Sequence, residues 1–260
     1  MIPVPTGRSP RQNKLLAALP ARHYQLLRPD LKRVALPQGA TIHFPGDSES
    51  HLYFIAGGLV SRACVTRNGE SAEFALTGNE GVIGLASVLG GESSPTRAVV
   101  VSPGCAWRLP ASVALQELEH EGPLARLLLR YTLALIAQAG QVAACNRHHS
   151  LEQRLCRWML WSLDRLPSNA LAMKQESIAE MLGVRRERVS EAAANLQRQG
   201  LIRYARGCID ILDRRGMQAR ACECYAAVNR EYARLLPQRQ AAPHAGAGES
   251  GLELAIAMHC

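Results

Sequence analysis

The sequence predicts an α+β fold in three parts: an antiparallel β-roll, a long helix, and a winged helix-turn-helix. Three observations carry that expectation. Short runs of strong β formers, punctuated by glycine and proline turns, fill residues 35–110. A helical periodicity without internal proline runs from Leu124 to Leu166. Beyond Lys174, two helix-length segments flank one glycine and are followed by a short hairpin.

A chain of 260 residues has room for two ordinary domains, each with its own core. Its 47% hydrophobic and 20% charged residues exclude wholesale disorder. No run reaches the roughly 18 consecutive apolar residues that cross a bilayer. The opening MIPVPTGRSP lacks the apolar stretch of a secretory signal. The expected location is the cytoplasm, with no membrane partner.

The strands expected are Ala40–Phe44, Leu52–Ile55, Leu59–Val65, Ser71–Leu76, Arg97–Ser102 and Ala106–Leu109, with turns at Pro45-Gly46-Asp47, Gly57-Gly58, Asn68-Gly69, Asn79-Glu80-Gly81, Gly90-Gly91 and Pro103-Gly104. Asn68-Gly69 has the composition of a type I′ hairpin turn, which needs positive φ at both central residues. Residues 1–111 form the first unit. Residues 112–149 form the long helix, in which a 4-3 spacing selects Leu124, Leu128, Tyr131, Leu135, Gln138, Val142 and Cys145. Such a stripe asks for a partner helix from a second copy, the alternative being that it packs on its own barrel.

Residues 150–225 form the winged unit. Leu151, Leu155, Trp158, Met159 and Leu163 recur on one helical face, and Pro167-Ser-Asn ends that helix. The segments Lys174–Leu182 and Arg186–Gln199 then meet at Gly183, and Leu201–Leu212 reads as two strands around Arg206-Gly207. Residues 226–260 hold the last helix end and, after Pro237, a flexible tail rich in Ala, Gly and His. The eight cysteines lack the paired spacings of zinc or iron–sulfur sites and are expected to be mostly free thiols. Cys222-Glu-Cys224 is read within a helix, where neighbours two apart diverge, so no metal is assigned.

The net charge of +8 is unevenly spread: 7 basic against 1 acidic residue in 1–40, and 14 against 9 in 151–230. Basic blocks favour a polyanion, because neutralising phosphates releases condensed counterions. In the glycine-linked helices, Ile178, Ala179 and Leu182 form the inner face of the first helix, while Val184, Val189 and Leu196 dock the second. That leaves Arg185, Arg186, Glu187, Arg188, Ser190 and Glu191 at the start of a helix whose N-terminal side chains meet major-groove base edges in this motif. Arginine pairs with guanine O6 and N7, and glutamate accepts from cytosine N4, which makes Arg186 and Glu187 the expected base readers.

This segment and the barrel before it resemble the CRP/FNR family of bacterial transcription regulators over about residues 13–225. The resemblance implies a cyclic-nucleotide-binding-like roll, a dimerisation helix, a homodimer on double-stranded DNA, RNA polymerase as a further partner, and a small-molecule effector whose identity stays open. It places the family's recognition residues on Arg186, Glu187, Ser190 and Glu191, and a phosphate contact on Lys174. Glu191 stands where the family usually has a guanine-reading arginine, which implies an altered half-site, and Arg188 is the nearby cation able to reach a phosphate or a neighbouring base. In the effector pocket, Gly84, Leu85, Thr96 and Arg97 fall on the family's ribose-phosphate positions, but Leu85 and Pro95 replace the glutamate and the phosphate arginine. An unpaired buried phosphate is costly, so loss of cAMP binding is expected. The cysteine cluster of the oxygen-sensing branch is missing from residues 1–63. His43, His51 and Cys64 read as structural rather than as haem ligands, and His148-His149 as an exposed junction. No cofactor is assigned. A small-molecule sensor working only through protein partners is the alternative function, and no catalytic motif supports an enzyme.

Overall fold

Strong β formers over 32–110 build a sheet that closes on itself, so that the alternate side chains of its central strand, such as Phe54 and Ile55, are buried in two separate apolar clusters. The computed structural model describes residues 9–236 except Glu92, Ser168 and Asn169. Helices α1 (Lys14–Ala18) and α2 (Ala21–Leu27) precede an antiparallel sheet. Its strands are β1 (Lys32–Leu36), β2 (Thr41–His43), β3 (His51–Val65), β4 (Ser71–Thr77), β5 (Val82–Ile83) and β6 (Arg97–Pro110). They run in the order β1-β6-β3-β4, with β2 added on β6 and β5 on β3. The buried side chain of Asn13 holds the first helices to the roll through the carbonyls of Ile55 and Gly81, at 2.9 and 2.8 Å.

Two expected turns are instead bulges. Gly57-Gly58 lies inside β3 and Pro103-Gly104 inside β6, where the register between the strands shifts. The strands cross so closely here that a Cβ on Gly104 would sit 2.0 Å from the Gly57 carbonyl oxygen. Glycine therefore permits a bend in a continuous strand rather than a reversal. Asn68-Gly69 does close a hairpin between β3 and β4, but only the glycine has positive φ. The Gly69 N–H bonds Thr66 O at 3.0 Å and the Thr66 N–H bonds Glu70 O at 2.8 Å. The type I′ geometry occurs in the wing, where Arg206 (φ 51°) and Gly207 (φ 75°) are both left-handed.

Helices α3 (Ala111–Glu119) and α4 (Pro123–His148) follow the roll. The 4-3 stripe from Leu124 to Cys145 is buried within the protomer, which corrects the expected dimer seam. Tyr131 meets Thr77 of the roll, hydroxyl to hydroxyl at 3.2 Å, and Gln138 accepts a 2.7 Å bond from Tyr232 of α9 (Cys224–Leu235). By length and a mean hydropathy of 1.3, α4 could cross a membrane. Its apolar residues instead serve two faces, one turned to the core and one carrying exposed Leu129, Leu133 and Ile136.

The winged unit comprises α5 (Leu151–Asp164), β7 (Ala170–Ala172), α6 (Gln175–Leu182), α7 (Arg186–Arg198), β8 (Ile202–Ala205), β9 (Cys208–Ile211) and α8 (Arg214–Arg220). A capping box between Ser150 and Gln153 restarts the helix after His149. Its strands form a separate sheet in the order β7-β9-β8. Cys222 and Glu223 lie in the non-helical link after α8 and Cys224 is the first residue of α9, so the pair straddles a helix start instead of lying inside a helix as expected. The alanine-rich tail expected after Pro237 lies outside the described residues.

A buried polar joint ties this unit to the roll. Glu73 of β4 accepts from Ser61 Oγ at 2.6 Å and from Trp158 Nε1 of α5 at 3.0 Å. Burial pushes the Glu73 carboxyl up to about 7, although both donors and the nearby Arg157 and Arg165 charges pull it down. The fold thus favours the protonated acid. That contribution is complete below the ordinary carboxylate value and is lost as the pH rises through about 7. Moving a carboxyl from 4.5 to about 7 corresponds to about 3 kcal/mol. Urea unfolding should show the native protein losing about that much relative to Glu73→Gln between pH 4.5 and 8. Parallel stability profiles for the two proteins would refute the assignment.

Candidate nucleic-acid interface

The two helices of the turn are fixed by their apolar faces. Ile178, Ala179 and Leu182 of α6 and Val189, Ala193 and Leu196 of α7 are buried. Between them Gly183 adopts φ 62°, and the Val184 N–H bonds the Ala179 carbonyl at 3.0 Å, closing α6 as a Schellman turn. With one face of α7 committed inward, the other is set outward. Arg185, Arg186, Glu187, Arg188 and Glu191 are all exposed, as is Lys174 at the N-cap of α6.

Two of the expected readers have partners the sequence did not suggest. Arg186 pairs with Glu176 of α6 at 3.0 Å rather than with its neighbour Glu187. Both members are more than half exposed, so the pair is worth at most about 1 kcal/mol and is readily exchanged for a base. Ser190 is half-buried; its hydroxyl donates to Gln175 Oε1 at 2.5 Å and also lies 3.1 Å from Arg186 O. It joins the two helices instead of facing solvent.

The wing adds a residue that sequence reasoning left out. Arg206 sits exposed at the tip of the β8–β9 turn, where it was read only as turn punctuation. Tyr204 fixes the wing by donating its hydroxyl to Met173 O at 3.1 Å, while its N–H bonds Gln197 Oε1 at 2.7 Å. The signal was available: a basic residue in a two-residue hairpin next to a helix-turn-helix is poised beside the duplex backbone.

The four candidate effector residues do not form one pocket. Gly84 lines a cleft of about 290 Å³ with His43, Glu49 and His51, whereas Leu85 is buried in the core. Thr96 Oγ1 bonds Ser94 Oγ at 2.8 Å. Arg97 lies across the sheet, in a cavity of about 300 Å³ between the roll and α6, and pairs with Glu180 of α6 at 2.5 Å. The reason is the strand register: Arg97 opens β6 opposite Ala63, on the face covered by α6. In the Gly84 cleft, His43 Nδ1 meets Glu49 Oε1 at 3.0 Å. Burial lowers the His43 pKa against the pull of that carboxylate.

Residues 33–121 match the model of the cyclic nucleotide-binding domain, and residues 153–220 that of the Crp-like helix-turn-helix domain. The global nitrogen regulator of Synechococcus elongatus is 27% identical over 175 residues, 64% of this chain and 78% of that protein. Its counterpart in Synechocystis is 26% identical over 200 residues, 74% of this chain and 88% of that one. Among solved structures, FixK2 from Bradyrhizobium japonicum shares the fold at TM-score 0.65 and 19% identity, covering 74% of this chain and 98% of its own. TTHB099, a CRP-family transcriptional regulator from Thermus thermophilus, does so at 0.59 and 24%, covering 73% and 96%. The two domain models follow one another in the order that the roll and the helix-turn-helix take in space, and together they span more than half of the sequence. On these grounds the chain belongs to the CRP/FNR family of DNA-binding transcription regulators.

Proposed function

We propose that the chain acts as a homodimer on a two-fold DNA site, with each α7 entering one major groove. The observation that carries this reading is the outward N-terminal half of α7, where Arg185, Arg186, Glu187, Arg188 and Glu191 are all exposed. Arg186 and Glu187 discriminate bases, Lys174 and the wing-tip Arg206 hold phosphates, and Ser190 keeps α7 in register with α6. Glu191 gives the half-site a different inner base from one read by arginine, with Arg188 the nearest cation. Two half-sites one helical turn apart follow from the symmetry.

The dimer contact assigned here is the exposed stripe of α4. Leu129, Leu133 and Ile136 continue at the same 4-3 spacing into Gly140 and Ala143, all on the solvent side. A Cβ at Gly140 would meet nothing within 4 Å, so the glycine leaves room for a second helix to approach. RNA polymerase is the expected protein contact at the promoter. Any effector is other than cAMP: Arg97, the cation nearest the family's phosphate position, is held by Glu180 and separated from Gly84.

Fluorescence anisotropy on a promoter fragment and on a scrambled duplex tests the base-reading role. Each contact is worth about 1 to 3 kcal/mol, so the pair Arg186→Ala with Glu187→Ala should cut discrimination at least about thirtyfold per half-site. Lys174→Ala should weaken both duplexes alike and flatten the salt dependence. Unchanged sequence preference in the double variant would show that α7 is not the reading helix.

A further inference from the structure

The last turn of α4 and the link into α9 bring four metal-binding side chains together. Cys145 and His149 are one helical turn apart and share a face. Cys222, from the link, and Cys224, the first residue of α9, converge on them. The four donor atoms all lie within 4.8 Å of one another. Cys145 Sγ is 3.4 Å from Cys222 Sγ, and Cys224 Sγ is 3.5 Å from His149 Nδ1. Zinc bonds of about 2.3 Å to sulfur and 2.0 Å to nitrogen place tetrahedral donors about 3.5 to 3.8 Å apart. The two closest approaches have about that spacing, and no pair is more than about 1 to 1.3 Å beyond it.

Its surroundings match as well. The three cysteines are buried, and His149 is largely so. His149 Nε2 lies 3.2 Å from Glu223 Oε1, which keeps the proton on Nε2 and leaves Nδ1 aimed at the cysteines. Gln141 donates from Nε2 to Cys224 Sγ at 3.1 Å. Three thiolates, a neutral imidazole and a divalent cation carry one net negative charge. Arg157, only 2% exposed, brings one positive charge to bear on Cys145 and Cys222. Its Nε and Nη1 have no hydrogen-bond partner, so this buried cation lacks a hydrogen-bonded counter-ion at those atoms.

We infer that Cys145, His149, Cys222 and Cys224 form a structural Zn²⁺ site that staples the end of α4 to the start of α9. Binding replaces the thiol protons by the metal and needs no electron transfer. A four-iron cluster would put each donor on a different iron, farther apart than one shared ion requires. A Cys145–Cys222 disulfide would use two of the four groups and leave His149 and Cys224 unexplained. The position gives the site its effect: His149 caps the end of α4 and the next residue, Ser150, caps the start of α5, so the ion fixes the junction between the long helix and the DNA-binding unit.

The full chain, purified without an affinity tag or chelator, should carry about one zinc per chain by elemental analysis. Cys224→Ser and Cys145→Ser should lose it, whereas Cys64→Ser, whose thiol is exposed elsewhere, should keep it. Since a ligand variant can fail to fold, the native chain reconstituted with Co²⁺ provides a second readout. Intense visible bands of tetrahedral cobalt with a thiolate charge-transfer band in the near ultraviolet are expected. Removing the metal with a strong chelator should lower the thermal midpoint, and added Zn²⁺ should restore it. Refutation would take any of three forms: sub-stoichiometric zinc after dialysis against Zn²⁺ under reducing conditions, an octahedral cobalt spectrum, or a Cys145–Cys222 disulfide in protein prepared anaerobically.

Discussion

Leu133→Glu with Ile136→Glu is expected to yield a folded monomer that binds palindromic DNA at least about a hundredfold more weakly, since two linked half-sites gain about 10² to 10⁴ over one. Both residues are exposed, Leu133 at 48% and Ile136 at 63%, and neither belongs to the protomer's core. Covering an apolar side chain of this size contributes about 1.5 to 3 kcal/mol, and each copy would lose two while gaining buried charges. The contrasting variant is Leu128→Ala, on the inward stripe. Leu128 is fully buried, so its truncation should cost about 2 to 5 kcal/mol of fold stability and leave the oligomeric state unchanged. Analytical ultracentrifugation beside urea unfolding separates the two outcomes. A dimer that survives the double glutamate variant would place the contact elsewhere.

Arg165→Leu is expected to lose about 3 to 5 kcal/mol of stability, because it strands a buried carboxylate. Glu80 Oε1, in the turn after β4, meets Arg165 Nε at 2.6 Å, and both side chains are less than a tenth exposed. Burial alone would pull the guanidinium's pKa down, but Glu80, with Tyr232 and Asp164, outweighs it and the net shift is upward. The backbone holds the pair at close quarters: a Cβ on Gly78 would lie 2.7 Å from Arg165 Cβ. Since a typical domain has only about 5 to 15 kcal/mol in all, the loss should move the denaturation midpoint well beyond experimental scatter. Pairing it with Glu80→Met should recover much of the deficit, because two apolar groups leave no isolated charge. If Arg165→Leu matched the native midpoint, the pair would have no such role.

The helix-turn-helix was legible because each signal was local: Gly183 between two amphipathic segments, and Ile178, Leu182, Val189 and Leu196 at helical spacing. The stripe on α4 was legible as apolar but not as to its partner. A helix apolar on two faces reports two packing surfaces, and spacing alone cannot say which is internal. Tyr131 and Gln138 turned out to need Thr77 and Tyr232, contacts separated by 54 and 94 residues. The same holds for Gly57 and Gly104, which look like turns singly and become a crossing only once paired. The four thiol and imidazole ligands escaped for that reason too, since Cys145 and Cys222 are 77 positions apart. Ser190 was misjudged because its acceptor, Gln175, belongs to the other helix.

The Crp-like match ends at residue 220, yet α9 lies beyond it and packs along α4. An excised fragment cut at that boundary would discard Tyr232, Leu235 and Leu236 together with two of the four converging ligands, and would bare Gln138 and Val142 to water. A soluble minimal reader for crystallisation with an operator should therefore extend to residue 236 and retain the long helix.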